Sequence, residues 1–307
     1  MIDGLVVVDK PAGPTSHDVV ARCRRTFGQR RVGHAGTLDP GATGVLLVGL
    51  GRATRLLRYL VGLPKRYEAE IVLGVATSTL DDGGEPTARW DMSGVSLDAA
   101  RAAAAALTGR IEQVPPMVSA VKVGGRRLHE LAREGIEVER SARLVTVSRF
   151  DLAAADDQDP GPSGGGPVLA ATVECSSGTY VRSLAADLGA ALGGGAHLRC
   201  LRRTAVGPWD VTDAIPLDAV GVEHVLPPER CLPGVARVVA RDDLAAAVGH
   251  GRVLSRSALG VDGPGPWAVV TAAGALLAVY EGHRDQLAKP AVVLGPGEAE
   301  GDREPSL

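Results

Sequence analysis

Residues 33–46 read GHAGTLDPGATGVL, a stretch with one histidine and one aspartate among four glycines. Glycine lets a backbone adopt conformations closed to other residues and approach a ligand closely, and Pro40 fixes the chain direction just after Asp39. Such loops usually present functional side chains rather than build a core. An isolated Asp-Pro-Gly, in contrast, is most often an ordinary turn stabilised by the aspartate itself. Taken alone, the loop leaves open whether Asp39 is a functional carboxylate or a turn residue.

This loop resembles the signature loop of the TruB family of RNA pseudouridine synthases, whose pattern is close to Gly-His-x-Gly-x-Leu-Asp-Pro-x-Ala-Thr-Gly. Every fixed position of the pattern is present between Gly33 and Gly44. Further family segments follow in the same order, so the resemblance covers about residues 4–215. It implies an α+β fold, a mixed β-sheet catalytic domain with flanking helices, in which Asp39 is the catalytic residue.

The resemblance also implies a pocket for a flipped uridine. Tyr67 matches the aromatic residue that stacks on the base, and His34 matches a histidine beside the nucleotide. Tyr180 and Arg182 belong to a second family block, in which the tyrosine lines the pocket and the arginine pairs with the catalytic aspartate. A guanidinium fork suits a carboxylate better than an ammonium does. Simpler interpretations stay open for each residue: a core tyrosine, a turn histidine, or an ion pair at a helix start.

A third block, residues 195–203, places Leu201 against the uracil and brings Arg202 and Arg203 to RNA phosphates, although a core leucine is also credible. Lys122 is expected to contact phosphate from an RNA-binding insertion at about residues 110–145. Within that insertion, tyrosines usual in the family are replaced, by Val118 and His129 among others. The insertion therefore offers fewer stacking platforms for a T-loop.

The resemblance implies that a single carboxylate can suffice for uridine-to-pseudouridine isomerisation and that neither metal nor cofactor is expected. A glycoside hydrolase uses two carboxyl groups because it protonates a poor leaving group and activates water. Uracil instead leaves as a stabilised anion and is kept for reattachment through C5. The sequence leaves open whether Asp39 acts at ribose C1′, at C2′ or on the uracil ring.

The 307 residues, 45% of them apolar, suffice for one large domain and a small one. The N-terminus resembles no signal peptide, and no apolar run reaches the ~18 residues of a membrane span, so a cytoplasmic location is expected. Four cysteines lie far apart without a Cys-x-x-Cys pair, which favours buried thiols over a zinc site or a disulfide framework.

A net charge of −3 is by itself unfavourable for binding a nucleic acid, whose phosphates attract Lys and Arg. The distribution of the charged residues matters more than their sum. Arginines cluster on both sides of the signature loop, at residues 22–31 and 52–58. Acidic residues concentrate in the Pro/Gly-rich segment 156–167 and in the last dozen residues. The body of the protein is therefore expected to be more basic than the total, although each arginine alone could simply be solvated.

Hydrophobic periodicity predicts elements along the whole chain. A strand over residues 4–9 precedes a helix capped by Ser16, and residues 66–73 alternate as a strand with Tyr67 inward. Ser96 caps a helix whose alanine run extends to Leu107. The other predicted elements are a helix over 54–60, a strand over 168–175, a helix over 179–192, and short strands over 267–271, 275–280 and 291–294. We therefore expect a catalytic domain over 1–225 with a mobile loop at 156–167, a small β-rich PUA-like RNA-binding domain over 226–295, and a disordered tail over 296–307.

The resemblance implies an enzyme that isomerises the T-loop uridine of tRNA, position 55, as a monomer and without a guide RNA. A guide-dependent synthase would share the signature loop, but the insertion after Gly109 resembles a T-loop grip of the stand-alone bacterial type. The alternative from a different class is an RNA-binding or RNA-folding protein that acts independently of catalysis. Asp39, Tyr67 and Arg182 are all intact, which favours the enzyme.

Overall fold

The computed structural model describes residues 1–119, 121–136, 138–160 and 165–295. Its strands are β1 (Gly4–Lys10), β2 (Val32–His34), β3 (Thr43–Leu50), β4 (Lys65–Leu73), β5 (Val75–Thr77), β6 (Pro86–Arg89), β7 (Gly109–Gln113), β8 (Lys122–Val123), β9 (Arg126–Arg127), β10 (Arg143–Ala154), β11 (Val168–Cys175), β12 (Ala196–Val206), β13 (Trp209–Asp210), β14 (Ile215–Pro216), β15 (Ala236–Val239), β16 (Leu254–Ser255), β17 (Trp267–Val270), β18 (Leu276–His283) and β19 (Leu287–Val293). Its α-helices are α1 (Ser16–Thr26), α2 (Leu57–Val61), α3 (Leu97–Ala106), α4 (Leu128–Arg133), α5 (Val181–Ala191), α6 (Asp242–Gly249) and α7 (Arg256–Leu259). The mixed α+β fold expected from the sequence is confirmed.

A ten-stranded mixed sheet forms the larger part of the described chain. Its hydrogen-bonded order is β14-β1-β3-β12-β4-β11-β10-β7, with β13 on β12 and β2 on β3. Strand β12 is parallel to β3 and antiparallel to β4, so it joins the first strands of the chain to the middle ones. Residues from β3, β4 and β12 consequently meet near the centre of the sheet.

Both faces of β1 are buried. Val6 and Val8 pack with Val19 and Val20 of α1 on one face, whereas Leu5 and Val7 on the other face belong to the cluster that includes β17, β18 and β19. A strand buried on both faces reads as a continuous apolar run, which is what residues 5–8 show.

A five-stranded sheet, ordered β15-β17-β18-β19-β16, follows in the chain and spans residues 236–293. It packs on the large sheet and is also tied to it by Arg52, which binds the Asp3 carboxylate at 2.7 Å and donates to Leu294 O at 2.5 Å. The β-rich character expected for the C-terminal region is confirmed. The segment 296–307, predicted to be a disordered tail, lies outside the described residues.

The N-cap of helix α1 is one residue earlier than the sequence predicted. Thr15 is the cap, with Asp18 completing a reciprocal capping box, so the assignment of Ser16 as the cap is wrong. Ser16 instead lies inside the first turn, where its hydroxyl is free to bind another loop. Ser96 caps α3 as predicted.

Two further expectations need correction. Cys23, Cys175 and Cys231 are buried, but Cys200 is exposed on β12, so only three of the four thiols are buried. The predicted helix over residues 54–60 is a 3-10 helix, Gly51–Leu56, that continues into α2. Among the residues described, no helix combines the length and apolar character that crossing a membrane requires.

The predicted mobile loop 156–167 lies between β10 and β11, and its residues 161–164 are outside the described part. Arg199 of β12 pairs with Asp157 at 3.2 Å, and Gln158 donates to Ala155 O at 2.7 Å. The near side of this acidic loop therefore pairs with an arginine of β12, which also binds Glu70 at 2.9 Å.

Candidate active site

The loop that carries Asp39 is held on both sides of that residue. On one side, the Ser16 hydroxyl accepts from Leu38 N at 2.8 Å and donates to Leu38 O at 2.9 Å. On the other side, Pro40 O accepts from Gly13 N at 2.9 Å and from Lys10 Nζ at 3.1 Å. Because both neighbours are fixed by the end of β1, the start of α1 and the turn between them, the Asp39 carboxylate is presented from a constrained backbone.

Arg203 of β12 holds the first half of the same loop. Its guanidinium donates to Val45 O at 2.7 Å and to Thr37 O and Gly36 O at 3.2 Å each. The side chain is 1% exposed, and its donors are turned into the protein. The prediction that Arg203 contacts RNA phosphate is therefore wrong. Its position next to Arg202 suggested a phosphate contact. Buried carbonyl oxygens of the loop need hydrogen-bond donors, however, and Arg203 supplies them.

Strand β12 can approach this closely because Gly44 has no side chain. Gly44 has φ +103°, and a Cβ there would lie 2.2 Å from Arg203 O. Parallel pairing of Gly44 with Arg203 thus requires glycine for both its conformation and its size.

Arg182 lies in the first turn of α5 and faces Asp39. Its Nη2 is 2.9 Å from Asp39 Oδ2, and its side chain is nearly buried. The same guanidinium donates to Thr79 O and Val118 O at 2.9 Å each, and its Nε lies 3.7 Å from Asp81 Oδ2. Four contacts fix the arginine, so it provides a positive charge of defined position beside the carboxylate.

A cavity of about 250 Å³ opens beside this pair. It is lined by Gly36, Thr37, Leu38, Asp39, Lys65, Tyr67, Ser119, Ser177, Gly178, Thr179, Tyr180, Val181, Arg182, Leu201 and Arg203. The predicted residues Asp39, Tyr67, Tyr180, Arg182 and Leu201 thus surround one space, although they come from separate parts of the chain. Its volume is slightly below the ~300–1,000 Å³ typical of sites for drug-sized ligands, which suits one nucleoside.

Tyr67 and Tyr180 are held in different ways. Tyr67 lies on β4, is buried, and lines the cavity together with Arg203. Tyr180 precedes α5, and its backbone is bound through both N–H and C=O by the buried amide of Gln113, at 2.7 and 3.1 Å. The backbone position of Tyr180 therefore depends on a buried glutamine that the sequence did not identify.

Burial shifts the titration of groups in and near the cavity. It raises the pKa of Tyr67, with Arg203 opposing the shift. Burial also lowers the pKa of Lys65 to about 8, helped by Arg203, and lowers that of Lys10 to about 8 against the attraction of Asp39. A pocket lined by several cationic side chains, Lys65, Arg182 and Arg203, suits a ligand that carries or develops negative charge.

The other predicted residues lie elsewhere. His34 does not line the cavity; its ring packs edge-on against His17 at 5.4 Å between centroids, and burial lowers its pKa. Arg202 is partly exposed and pairs with Asp9 through two contacts of 2.8 and 3.1 Å. The side chain of Lys122 lies outside the described part of the structure.

Sequence reasoning missed three residues of the site. Lys65 lines the cavity, Gln113 binds the backbone of Tyr180, and Ser16 binds the backbone of Leu38. The signal for Lys65 is its position two residues before Tyr67, which places both on the inward face of the same strand, where a lysine needs hydrogen-bond partners. Its Nζ donates to Val61 O and Leu63 O at 2.8 Å each. Gln113 and Ser16 carry no comparable local signal. Within the described ranges, no group of three or more His, Cys, Asp or Glu residues is arranged to hold a metal ion.

Two family models match the chain. The model of the N-terminal domain of the TruB family of pseudouridylate synthases matches residues 24–181. The model of the tRNA pseudouridylate synthase B C-terminal domain matches residues 182–227. The first match includes Asp39, Tyr67 and Tyr180, and the second includes Arg182 and Leu201.

Curated relatives match nearly the full length. The chain is 50% identical over 296 residues to tRNA pseudouridine synthase B of Thermobifida fusca, covering 96% of this chain and 99% of that protein. It is 48% identical over 297 residues to the protein of the same name from Mycobacterium sp. strain KMS, covering 95% and 96%.

Solved structures share the fold. A Cbf5-Nop10-Gar1 complex contains a chain 28% identical to this one, with a TM-score of 0.69 and coverage of 92% of this chain and 79% of that one. An H/ACA RNP bound to a substrate RNA containing 2′-deoxyuridine contains another, 25% identical, with a TM-score of 0.69 and coverage of 95% and 85%.

Proposed function

The chain belongs to the TruB family of pseudouridylate synthases, and from this membership we propose that it isomerises the T-loop uridine of tRNA, position 55, with Asp39 as the catalytic residue. Relatives that share about half of their residues with this chain are named tRNA pseudouridine synthase B, and their alignments cover almost the whole chain. The proposed site residues beside Asp39 are Tyr67, Tyr180, Arg182 and Leu201, and His34 is proposed to contact the nucleotide outside the cavity that these residues line.

One observation carries the proposal: a single carboxylate, paired with a buried arginine, stands at a cavity with an aromatic wall. Asp39 is 40% exposed on its side chain, whereas Arg182 is 5% exposed. The fixed partner lies on the protein side and the carboxylate remains open to a substrate. Among the described residues that line this cavity, Asp39 is the only carboxylate, which suits a reaction that needs neither a second acid nor an activated water.

The reaction rearranges bonds without net gain or loss of atoms. The bond between N1 of uracil and C1′ of ribose breaks, the base turns over, and C5 bonds to C1′. The proton on C5 is then lost, and N1 gains one. A nucleotide must leave its stack to enter the cavity, at a cost of ~a few kcal/mol, and contact with Tyr67, Tyr180 and Leu201 offsets this cost.

Charge at the pocket floor supports the intermediate step. Uracil released from C1′ carries negative charge, and Lys65 and Arg203 place two cationic side chains along the same wall. Preorganised charge of this kind lowers the energy of a developing anion because it needs no reorganisation during the reaction. Asp39 would act on the ribose or on the ring, and the geometry favours neither.

We also propose how the RNA is held. Lys122 and Arg202 would contact phosphates, Arg202 by exchanging Asp9 for the RNA backbone, and residues 226–295 would form the PUA-like RNA-binding domain. The enzyme would act in the cytoplasm as a monomer, without metal, cofactor or guide RNA. Support for the stand-alone mode is the segment 110–145, which supplies Val118 O to Arg182 and so links the proposed RNA grip to the site.

Tritium release from tRNA labelled at C5 of uridine tests the proposal. Purified protein alone, in buffer with a chelator, should release tritium from unmodified tRNA and place pseudouridine at the T-loop position. A transcript with cytidine at position 55 is the matched control and should release none from that site.

Two results would contradict the proposal. Tight tRNA binding without release would favour an RNA-binding or RNA-folding role, and release that depends on an added guide RNA would favour the guide-dependent type. Modification at another tRNA position would be compatible with membership of the family but would show that the proposed target, the T-loop uridine, is wrong.

A further inference from the structure

A buried histidine and a carboxylate face each other behind the proposed site. His197 of β12 is 0% exposed, and its Nδ1 lies 3.0 Å from Val75 O. A carbonyl oxygen only accepts, so Nδ1 donates this bond. The other ring nitrogen, Nε2, lies 3.5 Å from Asp82 Oδ1. Within the described residues neither of these two buried atoms has a hydrogen-bond partner, and the contact between them is attractive when the ring carries a proton on both nitrogens, because Nε2 then also donates.

Asp82 belongs to the turn 79–82 between β5 and β6, and this turn is fastened to β12. Leu198 N donates to Leu80 O at 3.1 Å, and Asp82 N donates to Leu198 O at 2.8 Å. Leu80 has φ +64°, a left-handed conformation that is strained for a leucine. Strained residues persist where surrounding contacts hold them, and they cluster at functional sites. The turn therefore depends on its attachments to β12.

The same turn supports Arg182. Thr79 O accepts from Arg182 Nη1 at 2.9 Å, and the Asp81 carboxylate lies 3.7 Å from Arg182 Nε. Arg182 in turn lies 2.9 Å from Asp39. A displacement of the turn would move two of the groups that orient this guanidinium.

We infer that His197 is a positioning residue for the reaction, acting through Asp82 to hold the turn 79–82 in the conformation that orients Arg182 against Asp39. The inference rests on the function proposed above and assigns a task to two residues that do not line the nucleoside cavity. If His197 only filled space, leucine could replace it and the contact with Asp82 would have no effect on the reaction.

Single-turnover tritium release with the full chain tests this assignment, together with tRNA binding measured separately. His197→Leu should lower the rate constant at least about tenfold, because small misplacements of catalytic groups are costly, while the tRNA Kd changes less than about twofold. His197→Gln carries an amide near the place of Nε2 and should recover the rate to within about threefold of wild type. Asp82→Ala should match His197→Leu, and the double variant should be no slower than either single one.

His224→Leu is the matched control, since His224 also lies beside an acid, 3.4 Å from Glu223, but away from the cavity. It should retain the wild-type rate. If His197→Leu does not fold, Asp82→Ala decides alone, because Asp82 is partly exposed in a turn.

Wild-type rates in both single variants, or losses that add in the double variant, would overturn the inference and leave the proposed function standing. Failure of the wild-type protein itself to release tritium would overturn the proposed function. A loss in His197→Leu that His197→Gln does not recover would reduce His197 to a structural residue.

Discussion

Arg182 Nη2 lies 2.9 Å from Asp39 Oδ2, and the two side chains differ sharply in exposure, 5% against 40%. The guanidinium is fixed by two backbone carbonyls, whereas the carboxylate comes from a loop that opens to the cavity. The arginine is therefore part of the scaffold, and the aspartate is the group that a substrate can reach.

Asp39→Asn should abolish turnover while tRNA binding is retained. The amide keeps the size of the side chain but loses the charge and nucleophilicity, so the rate of tritium release should fall by at least about 10³-fold, as for loss of an essential catalytic group. Phosphate contacts dominate affinity, so the Kd should change little. Asp151→Asn, at an exposed carboxylate on β10, is the control. Turnover near wild type in Asp39→Asn would remove Asp39 from the mechanism.

Arg182→Lys should lower kcat by about 10- to 100-fold, because an ammonium does not reproduce the planar fork. Lysine cannot serve Asp39, Thr79 O and Val118 O in the same geometry. Steady-state kinetics should show the loss mainly in kcat, and urea unfolding should show reduced stability. Arg149→Lys, a half-exposed pair with Asp151, should behave as wild type. Equal kinetics for both variants would contradict the positioning role of Arg182.

Gly44→Ala should destabilise the fold, whereas Gly41→Ala should not. A methyl group at Gly44 meets Arg203 O at 2.2 Å and occupies a positive φ, but at Gly41 nothing lies within 4 Å. We expect a loss of about 3 kcal/mol or more in the free energy of unfolding for Gly44→Ala. Chemical denaturation of the two variants measures the difference, and similar midpoints would show that β3 and β12 are not packed as described.

Lys65 should make stability rise with pH. Burial lowers its pKa from 10.5 to about 8, so between pH 8 and pH 10.5 the unfolded chain holds a proton that the folded chain has released. The free energy of unfolding therefore increases with pH in this window, by less than about 1.4 kcal/mol per unit, and below pH 8 the cost of burying the charge is present in full.

Lys65→Met removes this term, so its stability relative to wild type should decline from pH 7.5 to pH 9.5. Lys10, also shifted to about 8, is common to both proteins and cancels in the comparison. Urea denaturation at the two pH values provides the measurement. A parallel pH response of the two proteins would show that Lys65 has an ordinary pKa when folded.

Arg202→Ala should weaken tRNA binding and make its salt dependence shallower, by about one unit of slope per lost phosphate contact. Arg202 is partly exposed and pairs with Asp9, so a phosphate can displace the carboxylate. Filter binding between low and moderate salt gives the slope. Arg149→Ala is the control, and an unchanged slope in Arg202→Ala would place this arginine away from the RNA backbone.

Local patterns in the sequence were sufficient for the elements that support the site. Alternation identified β4 with Tyr67 inward, an apolar stripe identified α1, and the Ser96 cap identified α3. The grouping of Asp39 with Arg182 came from the resemblance, because no local pattern relates residues so distant in the chain.

Arg203 shows where sequence reasoning ends. In sequence it stands beside Arg202, and both were assigned to phosphate. Adjacent residues of a strand point to opposite faces, so one of the pair remains partly exposed and the other is buried against loop carbonyls. Which face is buried depends on the pairing of β12 with β3 and β4, and that pairing is a long-range contact.

The central place of β12 sets an order for folding. This strand, residues 196–206, inserts between β3 and β4, which precede it by more than a hundred positions. Contacts of such large sequence separation form slowly, because a long loop must close before the contact can stabilise it. During synthesis the chain would carry Asp39 long before Leu201 and Arg203 emerge from the ribosome. Until β12 docks, the groove between β3 and β4 exposes unpaired strand edges, so nascent or truncated forms that end before residue 206 should be prone to aggregation and to need chaperones.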